Sequence, residues 1–489
     1  MKRVAIVGGG ISGLTAAYEL ELARKRGAEI DWHLYEASDR LGGIVETTRL
    51  ATPESEYILE GGPDGWVSEK PWARELAVEL GLEDELIDSN DATRKTYILR
   101  AGELVAIPDG MRLMVPEDLR ALDGSPLFSA SARQSYAHEL ERGDELKGMA
   151  PEQDESVTSF VLRHFGEEVL TMLAAPLLSG VFGGDVHKLS VRAVMPQFVA
   201  MEREHGSLIA GLQSKIKAAQ PIFTSLRNGI GSLVDAVVAF LPSERLHMAR
   251  RIEAVWLDED EWNLDLFSGS LTLKQRFGAD SEGPFDHFVL AANLDSTRKL
   301  LAGLDPVRTT LLPSKGSFLS LAPTQASSAI LATFMWPAKL AGTFAVPPGF
   351  GFLVASGRGL HERSLLACTF VDQKFPHRAP DGGRVLRAFF GGADADGLAA
   401  QTDEAIATEA LTQLRAILGA IPAPSHTVVR RWPRSLPQYE VGHLDRMERL
   451  DQLVAGVPGL HLLGNSYRGV GLPDLVRDAR AAARKIAAA

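Results

Sequence analysis

A short apolar strand that runs straight into three glycines is the feature of this chain that leaves its fold the least freedom. Val4-Ala5-Ile6-Val7 reads as a buried strand, and Gly8-Gly9-Gly10-Ile11-Ser12-Gly13 fits the pattern G-x-G-x-x-G. Leu14 to Leu20 continues at helical spacing, and a second strand, Ile30 to Tyr35, ends at Glu36, at the usual distance of roughly 20 residues. Gly8 permits the tight turn, Gly10 lets backbone approach a pyrophosphate, and Gly13 allows the helix to pack close to the strand. Gly9, Ile11 and Ser12 complete a helix start whose free N–H groups and partial positive charge favour phosphate. Glu36 is placed to accept a hydrogen bond from a ribose hydroxyl. Strand, turn, helix, second strand and acid in this order predict a Rossmann-like dinucleotide-binding unit.

At 489 residues the chain has room for two or three domains and an ample core. Its formal net charge of -12 argues against a nucleic-acid partner, which needs a basic surface. The single cysteine, Cys368, excludes an intrachain disulfide and a cysteine-cluster metal site, and reads as a small buried hydrophobe. The twelve histidines show no metal-ligand spacing, so no metal is predicted. The first strand begins almost at once, which predicts no cleaved leader. No apolar run approaches the ~20 residues of a membrane-spanning helix. Peripheral membrane contact through an amphipathic surface stays open.

No internal repeat is visible. Residues 1–84 hold the first part of the nucleotide-binding unit, and residues 85–215 read as helix-rich. Pro71 to Gly81 and Val157 to Leu173 have helical spacing, whereas the polar stretch Gly143 to Ser156 predicts a loop. In residues 216–299 an apolar helix, Leu233 to Leu241, precedes strands at Leu246-His247-Met248, Ile252 to Val255 and Phe285 to Ala291. These read as a return to the nucleotide-binding sheet. Residues 300–430 alternate strands and loops around one helix, Asp403 to Leu418. Residues 431–489 finish with strand Leu460 to Leu463, the turn Gly464-Asn465 and a helix from about Pro473. The order predicts an α/β domain assembled from separated segments, with a second domain inserted.

Glu36-Ala37-Ser38-Asp39-Arg40-Leu41-Gly42-Gly43 resembles the E-x-x-x-R-x-G-G continuation of flavoproteins in the monoamine oxidase, phytoene desaturase and protoporphyrinogen oxidase superfamily. That resemblance implies tightly held FAD, with Arg40 near the pyrophosphate and Gly42-Gly43 passing under the flavin. Three more stretches are similar to the porphyrinogen oxidases within that superfamily. They are Glu60-Gly61-Gly62-Pro63-Asp64-Gly65-Trp66, Pro176 to Asp185 with Lys188-Leu189-Ser190, and Gly464 to Asp474. Arg431-Trp432-Pro433, Leu436 to Tyr439 and Lys374 to Pro380 support the match. The resemblance implies an FAD domain in discontinuous segments, a mixed-sheet substrate domain at 300–430 and a helical domain of membrane-contacting type at 85–215. It places Ala37, Gly61, Gly62, Pro63, Asp64, Trp432, Gly464, Asn465, Val470, Gly471 and Leu472 at the flavin or its phosphates. Ile252 would meet the adenine through its backbone.

The implied activity is an oxygen-dependent, six-electron oxidation of a porphyrinogen to the porphyrin in heme biosynthesis. Hydride would pass to flavin N5 and hydrogen peroxide would be released. Such a site needs no side-chain acid or base, because conjugation is gained as hydride leaves. Gly180 is the candidate for positioning the macrocycle through its carbonyl. Lys70, Lys374 and Arg378 are candidate partners for propionates. Asp64 after Gly62-Pro63, with Lys70, Ala367 to Phe370 and Phe375 to His377, looks more like coproporphyrinogen III oxidases of Gram-positive bacteria than like protoporphyrinogen IX oxidases. Blander roles stand beside these: Asp64 as a turn cap, Lys70 solvated, Trp432 as core. An amine oxidase, a carotene desaturase or a non-catalytic porphyrin-binding flavoprotein remain alternatives. The expected location is the cytoplasm or the inner-membrane face, and a homodimer is open. Gly180→Val should slow turnover of a porphyrinogen; an unimpaired rate in a steady-state assay would exclude close approach at that carbonyl.

Overall fold

The computed structural model describes residues 1–53, 56–214, 221–258, 261–266, 281–302, 319–355 and 365–488. Lys2–Val7 is the central strand of a five-stranded parallel sheet in the order Leu246–His247, Ile30–Tyr35, Lys2–Val7, His287–Leu290, Leu460–Leu462. Alternation along the first strand sends Val4 and Ile6 to one face and Ala5 and Val7 to the other. Val4 and Ile6 pack with helices Ile11–Lys25 and Leu472–Ala488, whose Val476, Ala479, Ala483 and Ile486 recur at helical spacing. Ala5 and Val7 pack against a separate three-stranded antiparallel sheet, Ile252–Asp258, Glu261–Leu266 and Ser281–Phe285. Of the strands read as returning to the parallel sheet, Leu246–His247 and His287–Leu290 do so, and Leu460–Leu462 adds its edge strand. Ile252–Asp258 instead covers that sheet's other face.

The second large sheet is mixed and seven-stranded, in the order His426–Pro437, Ala326–Trp336, Arg384–Gly391, Ala367–Phe370, Gly351–Val354, Thr96–Arg100, Glu103–Ala106. Only Gly351–Val354 and Thr96–Arg100 pair in parallel. Helix Asp403–Leu418 buries Ile406, Ala410 and Leu414 on its face. Cys368 lies buried in the same core. Two strands of this sheet, Thr96–Arg100 and Glu103–Ala106, come from the stretch read as helix-rich. Their turn is Ala101-Gly102, both left-handed (φ 51° and 87°), and short hairpins of this kind leave little periodic signal. The boundary read at 215/216 lies outside the described residues.

Helices from Ala130–Glu141 to Leu208–Ser214 share a third core that includes Tyr136, Phe160, Phe165, Leu173 and Phe198. Gly143–Met149, expected as a loop, is a helix. Asp144 and Glu145 occupy its first turn, Lys147 its last, and Leu146 is fully buried, so charge placement and one anchor outweigh the polar composition. The helix expected over Val157 to Leu173 breaks after His164, because Gly166 adopts a left-handed conformation (φ 81°). No helix among the described residues is long and apolar enough to cross a membrane.

These helices are also held by a buried ionic network. His164 sits between Glu139 and Glu202, at 3.1 Å from each, and Arg163 bridges Glu155 and Glu202 at 2.6 and 2.7 Å. Burial opposes charge on His164, but its bonds to the two carboxylates outweigh burial and raise its pKa above 6.5. A raised histidine contributes its stabilisation fully below the unfolded value and loses it as pH rises through the folded one. His164→Leu, which strands two buried carboxylates, should therefore cost about 3 kcal/mol at pH 6. In chemical denaturation the penalty should shrink as pH is raised above 6.5; a pH-independent penalty would mean that only packing was lost.

Candidate cofactor and substrate site

Because the strands are parallel, the loops that follow Val7 and Leu462 leave the sheet at the same edge. The two helices they lead into, Ile11–Lys25 and Leu472–Ala488, start there side by side. At the first start the Gly8 N–H donates to Tyr35 O (2.9 Å), and a Cβ on Gly8 (φ 114°) would lie 2.4 Å from Ala291 O. A Cβ on Gly13 would lie 2.0 Å from Gly8 O. Gly10 differs: a Cβ there would meet nothing nearer than Gly43 Cα at 4.0 Å. The packing of the protein thus demands Gly8 and Gly13, while Gly10 faces open space. Its lack of a side chain is not required by the packing of the protein itself.

Glu36 accepts the Gly9 N–H (2.7 Å) on one oxygen and the Ser38 N–H and hydroxyl (2.8 Å each) on the other. The acid is therefore fixed at the rim of the glycine turn. Ile11 and Ser12 are buried in the helix's first turn, and Ala37 is exposed beside Glu36. Gly42 N–H donates to Gly9 O (2.8 Å), closing the Gly42-Gly43 turn over the glycine loop. Arg40 donates to the carbonyls of Leu41, Gly43 and Val45 and lies 3.6 Å from Glu46. It staples this loop. Ile252 is buried beneath Tyr35, and the nearby Arg250 N–H donates to Glu36 O (2.8 Å).

The second helix start is shaped by Gly464 (φ 121°) and Gly469 (φ 135°), the latter with Asp474 where a side chain would stand. Asn465 Nδ2 donates to Ser435 O (2.8 Å), and Val470, Gly471 and Leu472 lead into the helix, with Leu475 N–H on Gly471 O (3.2 Å). A β-bulge at Ser327/Ala329, opposite Arg434 (φ 46°), bends strand His426–Pro437 here.

Gly61 and Gly62 are gripped through their carbonyls, the first by Trp432 Nε1 (2.7 Å) and the second by Arg387. A Cβ on Gly62 would lie 1.9 Å from Ile44 O. After Pro63, Asp64 is paired with Lys374 (3.0 Å) and Arg387 (3.3 Å). Burial raises its pKa, but Lys374, Arg387 and Arg378 together hold it down at about 2. Asp64 is thus an ion-pair centre, which rules out the simpler role of turn cap. Glu60, whose carboxyl burial pushes up, is ion-paired with Arg378 (2.9 Å) and accepts Thr47 Oγ1 (2.5 Å) and Ile230 N–H (2.8 Å).

The three cations read as propionate partners are each bonded inside the protein. Lys70, close to half exposed, holds Asp474 (2.5 Å) at the second helix start. Lys374 is buried on Asp64 and lies over the rings of Phe223 and Phe375. Arg378 is 0% exposed, bonded to Glu60 and to Ser225 Oγ (2.6 Å). Its Nε and Nη1 have no hydrogen-bond partner among the described residues. Gly180 lies in the last turn of helix Ala175–Phe182, where carbonyls lack intrahelical partners, and is exposed. Arg387 escaped notice, although a charge within the apolar run Val385 to Phe390 signals a buried partner. Among the described residues no metal-ligand cluster is present.

The family model described as flavin containing amine oxidoreductase matches residues 11–487. The chain is 30% identical over 492 residues to the coproporphyrinogen III oxidase of Bacillus subtilis (strain 168), covering 98% of this chain and 97% of that protein. It is 28% identical over 519 residues to the chloroplastic protoporphyrinogen oxidase of Oryza sativa subsp. japonica, covering 98% and 87%. A crystal structure from Exiguobacterium sp. 255-15 superposes with a TM-score of 0.81 at 31% identity, covering 100% of this chain and 99% of that one. The open face at Gly10, two converging helix starts and side-chain-free backbone at Gly42-Gly43 and Gly61-Gly62 fit FAD.

Two outcomes follow from this geometry. Gly10→Ala should fold with an unchanged melting temperature in the apo form yet purify with little FAD, whereas Gly13→Ala should fail to fold; flavin absorbance and thermal melts read both. Asp64→Asn, which leaves Lys374 and Arg387 under-compensated, should cost about 3 kcal/mol at pH 7. A depressed carboxylate stabilises above its unfolded value of 3.8 and loses that contribution as pH falls through about 2. The penalty in denaturant titrations should therefore be flat from pH 5 to 7 and shrink only below about pH 4.

Proposed function

Given that this chain belongs to the flavin-containing amine oxidoreductase family, we propose that it oxidises a porphyrinogen, coproporphyrinogen III in particular, to the corresponding porphyrin. The observation that carries this reading is similarity along the full length of a coproporphyrinogen III oxidase, with 98% of this chain covered. FAD would be held by the Gly8–Gly13 helix start, Glu36 at the ribose, the Gly42-Gly43 and Gly61–Asp64 segments, Ile252, Trp432, and the Gly464–Leu472 loop. Bound there, FAD supplies a two-electron acceptor that oxygen restores with release of hydrogen peroxide, and three such rounds convert porphyrinogen to porphyrin.

The protein's own part is positioning and exclusion of water. Trp432 and Arg387 fix the carbonyls of Gly61 and Gly62, so this segment presents a rigid wall. The exposed carbonyl end at Gly180 accepts pyrrole N–H groups. Lys70 takes a propionate by releasing Asp474, a role a fully buried cation cannot fill. No acid or base is assigned, in keeping with a substrate that gains conjugation as it is oxidised.

Porphyrin fluorescence from flavin-replete protein, given coproporphyrinogen III and protoporphyrinogen IX in parallel with oxygen present, tests the reading. The four-carboxylate substrate should be oxidised faster. Lys70→Met should raise its KM about tenfold, the worth of one charge-assisted pair, with kcat little changed. Preference for protoporphyrinogen would reassign the substrate. No oxidation of either would bring forward an amine oxidase, a carotene desaturase or a non-catalytic porphyrin-binding role.

A further inference from the structure

Residues 435–443 lie between the loop of the second helix start and the segment that follows helix Ala175–Phe182, and they bond to both. Toward the loop, Tyr439 Oη donates to Asn465 O (2.6 Å) and accepts the Gly469 N–H (2.9 Å). His443, whose ring stacks on Tyr439 at 4.0 Å, meets Tyr467 O through Nε2 (2.7 Å). Burial pushes the pKa of His443 down to about 4, so Nε2 carries the proton and donates. Toward the other segment, Gln438 Nε2 donates to Phe182 O (3.0 Å) and Leu436 O (2.8 Å). Ser190 N–H donates to Tyr439 O (2.8 Å), Val441 N–H to Lys188 O (2.9 Å), and Leu189 bridges Glu440. Gly184 is so close that a Cβ there would lie 1.9 Å from Gln438 Oε1.

Side-chain bonds from two adjacent residues thus reach the two loops, Gln438 toward Phe182 and Tyr439 toward Asn465 and Gly469, with backbone bonds of Tyr439 and Val441 beside them. We propose that Gln438 and Tyr439 are positioning residues that couple occupancy of the FAD cleft to the order of residues 182–190. A cofactor that fixes the 464–472 loop fixes the phenol bonded to two of its backbone groups. A fixed Tyr439 fixes the carbonyl that receives Ser190 and the neighbouring amide of Gln438. Linkage makes the effect reciprocal: whatever orders 182–190 also slows FAD loss. Where Proposed function holds, this segment borders the macrocycle, and the coupling makes flavin-replete protein the form competent to bind substrate.

Two readouts need no substrate, so they stand apart from the identity of the porphyrinogen. One is the rate of FAD release from holoenzyme, followed by recovery of flavin fluorescence. The other is tryptic cleavage after Lys188, whose exposed side chain but bonded carbonyl make cleavage report local opening. Tyr439→Phe should speed both about tenfold, cleavage being read at saturating FAD, while cleavage elsewhere keeps its rate. Gln438→Leu, which removes the side-chain bond to Phe182 O and the local one to Leu436 O but none to the 464–472 loop, should speed cleavage and also FAD release, about threefold. The double variant should speed each process by less than the product of the two single effects, because the residues act as one unit. Faster cleavage in Gln438→Leu with wild-type FAD release, or faster FAD release in Tyr439→Phe with wild-type cleavage, would overturn the coupling. Should Tyr439→Phe fail to fold, Gln438→Leu decides alone.

Discussion

Two helices that begin at the same edge of one parallel sheet are the constraint on which the rest of this structure depends. Parallel strands force every following loop to that edge, so the starts at Ile11 and Leu472 converge although they lie at opposite ends of the sequence. Each start leaves unpaired N–H groups and a partial positive charge. Gly8 and Gly13 let the first helix approach the sheet, and Gly10 between them faces open space at the helix start. The three-stranded sheet on the far face and the terminal helix on the near one close the α/β unit around this edge.

The second large sheet is joined to that edge by charge. Glu60 and Asp64 flank Gly61-Gly62-Pro63, and Lys374, Arg378 and Arg387 from the seven-stranded sheet and its connections neutralise them. A buried pair of this kind adds little net stability, but a missing partner is costly. Its service is to fix the backbone: Arg387 holds Gly62 O while Trp432 holds Gly61 O, so a glycine segment that would otherwise be the loosest part of the chain becomes a wall. The network around His164 does the same for the helical part.

What could be read from the sequence follows from the range of the interactions. The glycine turn, Glu36, the helix Asp403–Leu418 and the strands of the parallel sheet are local patterns, and they stand where the spacing predicted. The protein partners of Lys374 and Arg378 were not legible, because a cation in a family-like stretch carries no sign of its partner. Asp64 lies 310 positions from Lys374 in the chain. Arg387 alone offered a clue, a charge in an apolar strand. The hairpin Thr96–Ala106 was hidden because its strands are short and join a sheet whose other members begin more than two hundred residues later. Gly143–Met149 was missed because one buried leucine and well-placed charges suffice for two turns of helix.

The account stands or falls on whether this cleft passes electrons from a porphyrinogen to its flavin. The direct measurement is anaerobic mixing of flavin-replete protein with coproporphyrinogen III, following flavin absorbance and porphyrin emission together. The prediction is that the flavin bleaches as porphyrin-type emission grows, and that its colour returns when oxygen is admitted. Fully flavinated protein that keeps its colour in the presence of excess coproporphyrinogen III and of protoporphyrinogen IX would contradict it.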